Sequence, residues 1–159
     1  MTDATDFPVF PTTAPAVFCD PDATRLLFGD VLGRLAAVVD LDEEQLDLAT
    51  PCAGFTAAQL RQHVLGWLGF FAAALRDPGA ASPRPDPESF ELAGGELASD
   101  VVGRCLVEIG QAVADDAAGQ MVTMTSSRMA GDGVIGMVLG VSVVHGWALA
   151  RASSPESEV

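Results

Sequence analysis

The feature that most constrains the fold is a stretch of apolar side chains that recur every three or four residues after Thr56. Thr56 followed by Gln59 forms a capping box, a pattern typical of the start of a helix. Recurrence at this spacing places the side chains on one face of a helix, where a core can cover them. The positions on this face are Leu60, His63, Val64, Trp67, Leu68 and Phe71. The sequence therefore predicts a core-facing helix with one histidine in its apolar stripe.

Three further segments predict helices, and the segments between them predict loops. The helices run from Asp20 or Asp22 to Val39, from Glu88 or Glu96 to Ala118, and from Val134 to Ala152. A short helical turn is expected over residues 43–48. Residues 77–87 hold too many prolines for a helix and predict a long crossover loop, and residues 119–133 predict a loop with a short extended piece. Together these elements predict an all-α fold, an antiparallel four-helix bundle whose site is built from inward-facing side chains.

The domain organisation follows from proline content and chain length. At 159 residues the chain is sized for one domain. Residues 1–21 carry four of the prolines and predict an extended N-terminal arm, which we expect to pack on the bundle through Phe7, Phe10 and Phe18. Residues 22–152 form the predicted bundle domain, and the polar tail 153–159 is expected to be disordered.

The charge of the chain limits its partners. There are 22 acidic and 8 basic residues, which gives a formal net charge of −14, and no basic cluster occurs. Such a surface repels phosphate backbones and anionic lipids, so we expect no nucleic-acid and no membrane partner. No uninterrupted apolar segment reaches the roughly 20 residues of a membrane span. All eight bases are arginine, which with the alanine excess points to a GC-rich, actinobacterial source.

The cysteines and the N-terminus predict the compartment. Three cysteines at wide spacings, Cys19, Cys52 and Cys105, fit neither a disulfide framework nor a metal knuckle. The N-terminus has acids and prolines where a signal peptide needs bases and an apolar run. We therefore expect a cytoplasmic protein.

Both histidines of the chain, His63 and His145, fall on the apolar stripe of a predicted helix. A lone histidine in this position is more often a neutral core residue whose ring nitrogens are hydrogen-bonded. Two of them on facing helices are also the pattern of a site built inside a bundle. Both interpretations stay open at this point.

Two motifs carry a resemblance to a known family. The segment Thr50–Thr56 (TPCAGFT), followed by Leu60 and His63, is similar to the TPCxGWT…L..H signature of the mycothiol-dependent maleylpyruvate isomerase-like family. The segment Val144–Arg151 (VHGWALAR) resembles the same family's vHgWDLAr motif near the C-terminus. The resemblance implies a DinB-like four-helix bundle, and with it a divalent metal, zinc or nickel, held by three side chains.

The resemblance assigns two of the metal ligands to this chain and leaves the third without a donor. It implies that His63 and His145 bind the metal. The third ligand of the family lies four residues before the second histidine, one helical turn away on the same face. That position is Val141, which has no donor atom, and the family's aspartate after the tryptophan is Ala148 here. Two histidines alone would hold a catalytic zinc weakly, because such sites normally have three protein ligands.

Other residues complete a candidate pocket around these positions. The predicted lining is Cys52, Trp67, Val141, Ser142 and Trp147. Cys52 precedes the second helix, where a helix N-terminus can lower a thiol pKa, although in the resembling family this cysteine has no catalytic role. Trp67 and Trp147, one turn or less beyond the two histidines, are expected to be core or pocket walls. No catalytic residue is assigned.

Two functional hypotheses follow. The first is a metal-free relative that keeps the bundle and a pocket and acts as a small-molecule binder or an interaction module, with a homodimer as one arrangement. The second, implied by the resemblance, is a metal-dependent isomerase or S-transferase that uses mycothiol or a similar low-molecular-weight thiol. Val141 favours the first hypothesis, and the paired histidines favour the second.

Overall fold

A computed structural model describes residues 18–154, and in this part of the chain four α-helices account for most of the structure. They are α1 (Pro21–Val39), α2 (Ala57–Arg76), α3 (Ala98–Ala114) and α4 (Gly131–Ser153). A two-stranded antiparallel hairpin, β1 (Met121–Thr123) and β2 (Arg128–Ala130), precedes α4. Single 3₁₀ turns lie at Glu43–Gln45, Pro87–Ser89 and Ala117–Gly119. The predicted arm, except for Phe18 and the residues after it, and the tail after Ser154 lie outside the described residues.

Each of the four helices packs against two others. Helices α1 and α2 both contact α3 and α4, so the four helices enclose one shared core. Large side chains with almost no exposed surface fill this core from every helix, and each contributes roughly 1.5–3 kcal/mol to the free energy of unfolding. They include Phe28, Leu32, Phe70, Leu75, Ile109, Ile135 and Leu149. The predicted four-helix bundle of DinB-like type is confirmed.

Side-chain caps explain where the first two helices begin. The carboxylate of Asp20 accepts hydrogen bonds from the backbone N–H groups of Asp22 and Ala23, and Pro21 occupies the first helical position. The predicted capping box is present at α2, where Thr56 and Gln59 bond each other's backbone N–H. Both caps provide hydrogen-bond acceptors for backbone N–H groups that have no partner inside the helix. The predicted starts of α1 and α2 are thus confirmed.

Of the two predicted starts of the third helix, Glu88 is wrong and Glu96 agrees with the structure to within two residues, because α3 begins at Ala98. The chain takes positive φ at Gly95 (+80°), a backbone conformation that ends any helix begun earlier. The first turn of α3 is capped from another element, since the Asp40 carboxylate accepts a hydrogen bond from Ser99 N–H at 3.0 Å. The helix also ends earlier than predicted, at Ala114, shortly before Asp116 turns left-handed (φ 62°).

The crossover loop between α2 and α3 is fixed to the bundle at two points. The guanidinium of Arg84 donates hydrogen bonds to the carbonyls of Ala73, Asp77 and Thr123 at 2.7–3.2 Å, which ties the loop to the end of α2 and to β1. Farther along, the Pro87 carbonyl packs directly on Gly66 of α2, where a Cβ atom would overlap it. The end of the loop is therefore positioned by backbone contact with α2.

Helix α4 begins three residues before the predicted Val134, directly after the hairpin. Gly131 N–H donates to the Gln120 carbonyl at 2.7 Å, and this glycine has no space for a side chain against the Ala117 carbonyl. An 18-residue window of α4 has a mean hydropathy of 1.8, so by length and composition the helix could cross a membrane. Core helices of similar composition pass the same test, and α4 packs on α1 and α2.

Candidate functional site

The loop before α2 has a closed shape that explains its sequence motif. The Thr50 hydroxyl lies 3.0 Å from the carbonyl oxygens of both Cys52 and Phe55, and Thr50 N–H donates to the Phe55 carbonyl. Gly54 takes a positive φ of 89°, which suits a residue without a side chain. Thr56 then caps α2. These contacts hold the Phe55 ring above the first turns of the helix.

His63 lies at the edge of the bundle, surrounded by aromatic rings. Its ring centroid is 5.2 Å from that of Phe55 and 5.5 Å from that of His145, which it meets edge to face. Trp67, one turn further along α2, is at 6.4 Å. The His63 side chain is 26% exposed. The two histidines predicted to lie together are therefore adjacent, and they lie in a half-buried position rather than deep in the core.

Glu88 is a neighbour of this site that the sequence did not single out. Its Oε1 accepts a hydrogen bond from Trp67 Nε1 at 3.2 Å and lies 3.9 Å from His63 Nδ1. The side chain is 70% exposed, so water screens its charge on the outer side. Within the loop, Asp86 Oδ1 accepts from Glu88 N–H, which fixes the turn that presents this carboxylate. The site thus has an acidic group supplied by the crossover loop.

His145 is electrostatically different from an exposed histidine. Burial lowers its pKa below the usual 6.5, the neighbouring His63 lowers it further, and the Val141 backbone carbonyl acts in the opposite direction. Its Nδ1 is buried and finds no hydrogen-bond partner among residues 18–154. Burial and the neighbouring His63 thus both favour the uncharged form of the His145 imidazole.

The donor set does not fit a catalytic metal centre of the three-ligand type. Val141 is half-buried one turn before His145 and presents only methyl groups. In the part of the chain that the structure describes, no three His, Cys, Asp or Glu side chains come together as a group that could hold a metal ion. Two imidazoles alone leave such an ion short of one protein ligand.

The sequence model of the Mycothiol maleylpyruvate isomerase N-terminal domain family matches residues 28–150, which is most of the chain. The chain belongs to this family. No match was found among curated proteins or among solved structures. The family membership agrees with the two motifs at His63 and His145, and Val141 remains a departure from the ligand pattern that the resemblance implied.

The other predicted pocket residues of this family member are divided between two places. Trp67 lies beside His63 and is bonded to Glu88, and Cys52 is half-buried in the motif loop. Ser142 and Trp147 instead line a groove of about 420 Å³ between α1 and α4. In that groove Ser142 is buried and Trp147 is 58% exposed. The structure therefore does not bring all five predicted residues into one pocket.

Sequence reasoning missed Glu88 because the contact that places it is not local. The residue occurs in a proline-rich segment and was interpreted only as one possible start of the third helix. Glu88 reaches His63 and Trp67 because Pro87 packs on Gly66, more than twenty residues away in the chain. The only sequence signal is a glycine in the middle of an otherwise good helix, which typically marks a close approach of another backbone.

Proposed function

We propose that this chain is a metal-free member of its family that binds a small organic molecule beside His63. The observation that carries the proposal is Val141, which removes the third metal ligand while leaving the rest of the site in place. The two imidazoles then form a polar wall of the binding site and do not act as metal ligands. Burial favours the neutral form of His145, and His63 is held by its contacts with Phe55 and Trp67.

The proposal also covers the partners, the location and the oligomeric state of the protein. The net charge of −14 disfavours nucleic acid and anionic membranes as partners. Cys19, Cys52 and Cys105 are free thiols, which suits a cytoplasmic location. Exposed apolar side chains on α4, namely Val143, Val144 and Trp147, support a homodimer through this helix.

A second candidate is the metal- and thiol-dependent isomerase or S-transferase implied by the family name. One observation favours it, the spacing of the two imidazoles. Two imidazoles that share a tetrahedral ion at about 2 Å have ring centroids about 5 Å apart, and those of His63 and His145 are 5.5 Å apart. Geometry therefore permits a shared ion, whereas the number of donors argues against it.

Metal content distinguishes the two candidates. Protein made without an affinity tag, in medium supplemented with zinc and nickel, is analysed for metal by mass spectrometry. We expect the wild-type chain to contain far less than one metal ion per chain. Near-stoichiometric metal that is lost in His63→Ala would overturn the metal-free proposal.

Restoring the missing donor provides the matched test. Val141→Glu places a carboxylate one helical turn before His145, at a position that is already half-buried and near solvent. We expect this variant to bind zinc close to one ion per chain, and the double variant with His63→Ala to lose it. A Val141→Glu protein that folds but binds no more zinc than wild type would show that Val141 is not the reason for the defect.

A further inference from the structure

A small cleft opens beside His63, between the first turns of α2 and the crossover loop. We call it the Glu88 cleft, and its volume is about 170 Å³. Its main walls are Phe55, Gln62, His63, Glu88 and Phe90. This volume is smaller than the roughly 300–1,000 Å³ of most ligand pockets. The Glu88 cleft is therefore suited to a small molecule, below the size range of most drug-like ligands.

Glu88 is the only charged side chain among the residues that line the cleft, apart from the titratable His63. One of its oxygens, Oε1, is engaged by Trp67 Nε1–H. The other, Oε2, has no hydrogen-bond or ion-pair partner within residues 18–154. No arginine lines the cleft, and the chain as a whole carries 22 acidic residues against 8 basic ones. The local charge and the net charge thus both attract cations and repel anions.

Apolar walls complement this carboxylate. Phe55, Phe90 and the His63 ring line the cleft. Both phenylalanines also pack against the buried core. Aromatic rings are favourable neighbours for the hydrocarbon part of a ligand, and their faces attract an ammonium group. A carboxylate next to aromatic rings is a combination that recognises amines.

The backbone around the cleft is fixed before any ligand binds. Pro87 rests on Gly66, Asp86 accepts from Glu88 N–H, and the motif loop is closed by Thr50. A preformed site costs less ordering of side chains and loops when a ligand binds. Both walls of the cleft are therefore preorganised.

We propose that the Glu88 cleft binds a small organic cation, with its ammonium group at the Glu88 carboxylate and its hydrocarbon part between Phe55 and Phe90. The proposal rests on the proposed small-molecule-binding function and names the ligand class of that site. Cations of this class are small protonated alkyl amines. Small carboxylates are excluded by the same charge.

The test is an NMR titration with three probes of one size: butylammonium, butanol and butyrate. The indole N–H of Trp67 reports on the cleft because it donates to Glu88, and that of Trp147 in the α1–α4 groove is an internal control. We expect butylammonium to shift the Trp67 signal in a saturable way without moving that of Trp147. Butanol and butyrate should bind at least about tenfold more weakly.

A pair of variants isolates the carboxylate. Glu88→Gln keeps an acceptor for Trp67 but removes the charge, and we expect it to weaken butylammonium binding about tenfold. Glu91→Gln removes the same charge from an exposed position that does not line the cleft, and should leave binding unchanged. Equal losses in the two variants, equal binding of the three probes, or no saturable shift would each overturn the amine proposal. Metal content is measured separately, so a failure here is distinguishable from a failure of the metal-free function.

Discussion

Gly66→Ala tests the contact that holds the crossover loop on α2. Gly66 is buried in the middle of the helix, and a Cβ atom added there would overlap the Pro87 carbonyl oxygen and lie 3.0 Å from Phe90 Cβ. The oxygen belongs to the backbone, so no rotamer change relieves the overlap. Helix and loop would have to separate, and overpacking of this kind costs about 1–3 kcal/mol.

Gly69→Ala is the matched control on the same helix. A Cβ atom at Gly69 meets nothing within 4 Å. Both substitutions gain the same helix propensity, about 1 kcal/mol. The difference between the two variants therefore isolates the overlap at Gly66.

Urea unfolding followed by far-UV circular dichroism gives the free energies of unfolding. We expect Gly69→Ala to be more stable than wild type, and Gly66→Ala to be about 1–3 kcal/mol less stable than Gly69→Ala. The Trp67 indole signal should also move in Gly66→Ala, because displacement of the loop removes Glu88 from the indole N–H. Equal unfolding midpoints for the two variants would refute the proposed contact.

Three further predictions concern the cap and the titrating groups. Thr56→Ala removes the N-cap of α2 and should lower the free energy of unfolding by about 1 kcal/mol, and an unchanged urea midpoint would contradict the cap. Burial raises the pKa of the Cys105 thiol to about 11, so in native protein a thiol reagent should modify exposed Cys19 well before Cys105, as mass spectrometry of timed samples can show. Because the folded-state pKa of His145 is lowered, the unfolded chain binds more protons below pH 6.5. The free energy of unfolding should therefore fall as pH drops from 6.5 to the folded pKa, and His145→Asn should reduce that slope.

Local signals predicted most of the helical structure. The capping box at Thr56 and the aspartate cap at Asp20 identified the starts of α1 and α2, because both depend on residues within one turn. For α3 the local pattern left two starts open, near Glu88 and near Glu96. The choice between them depends on the positive φ of Gly95 and on a cap from Asp40, which is almost sixty residues away in the chain.

The candidate site was predicted only in part, for a similar reason. Helical spacing predicted that each histidine faces the bundle, and the family resemblance implied that the two lie together; their rings are adjacent. The same argument did not separate Ser142 and Trp147 from His145, because all three are close along α4 and the bundle determines which neighbour each meets. The position of Glu88 could not be predicted, because a residue in a proline-rich loop has no periodic pattern that assigns it to a face.

The two histidines lie outside the fully buried core of the bundle. In small metal-dependent domains, metal binding supplies the free energy of folding. Here the fully buried side chains come from all four helices and are apolar, while His63 and His145 are half-buried at the edge. Val141, at the position where the family resemblance implied a metal ligand, is therefore compatible with the same packing. The carboxylate that lies beside His63 is that of Glu88, which comes from the crossover loop. Under the proposed function, this exposed carboxylate attracts a cationic ligand from solvent instead of completing a metal site.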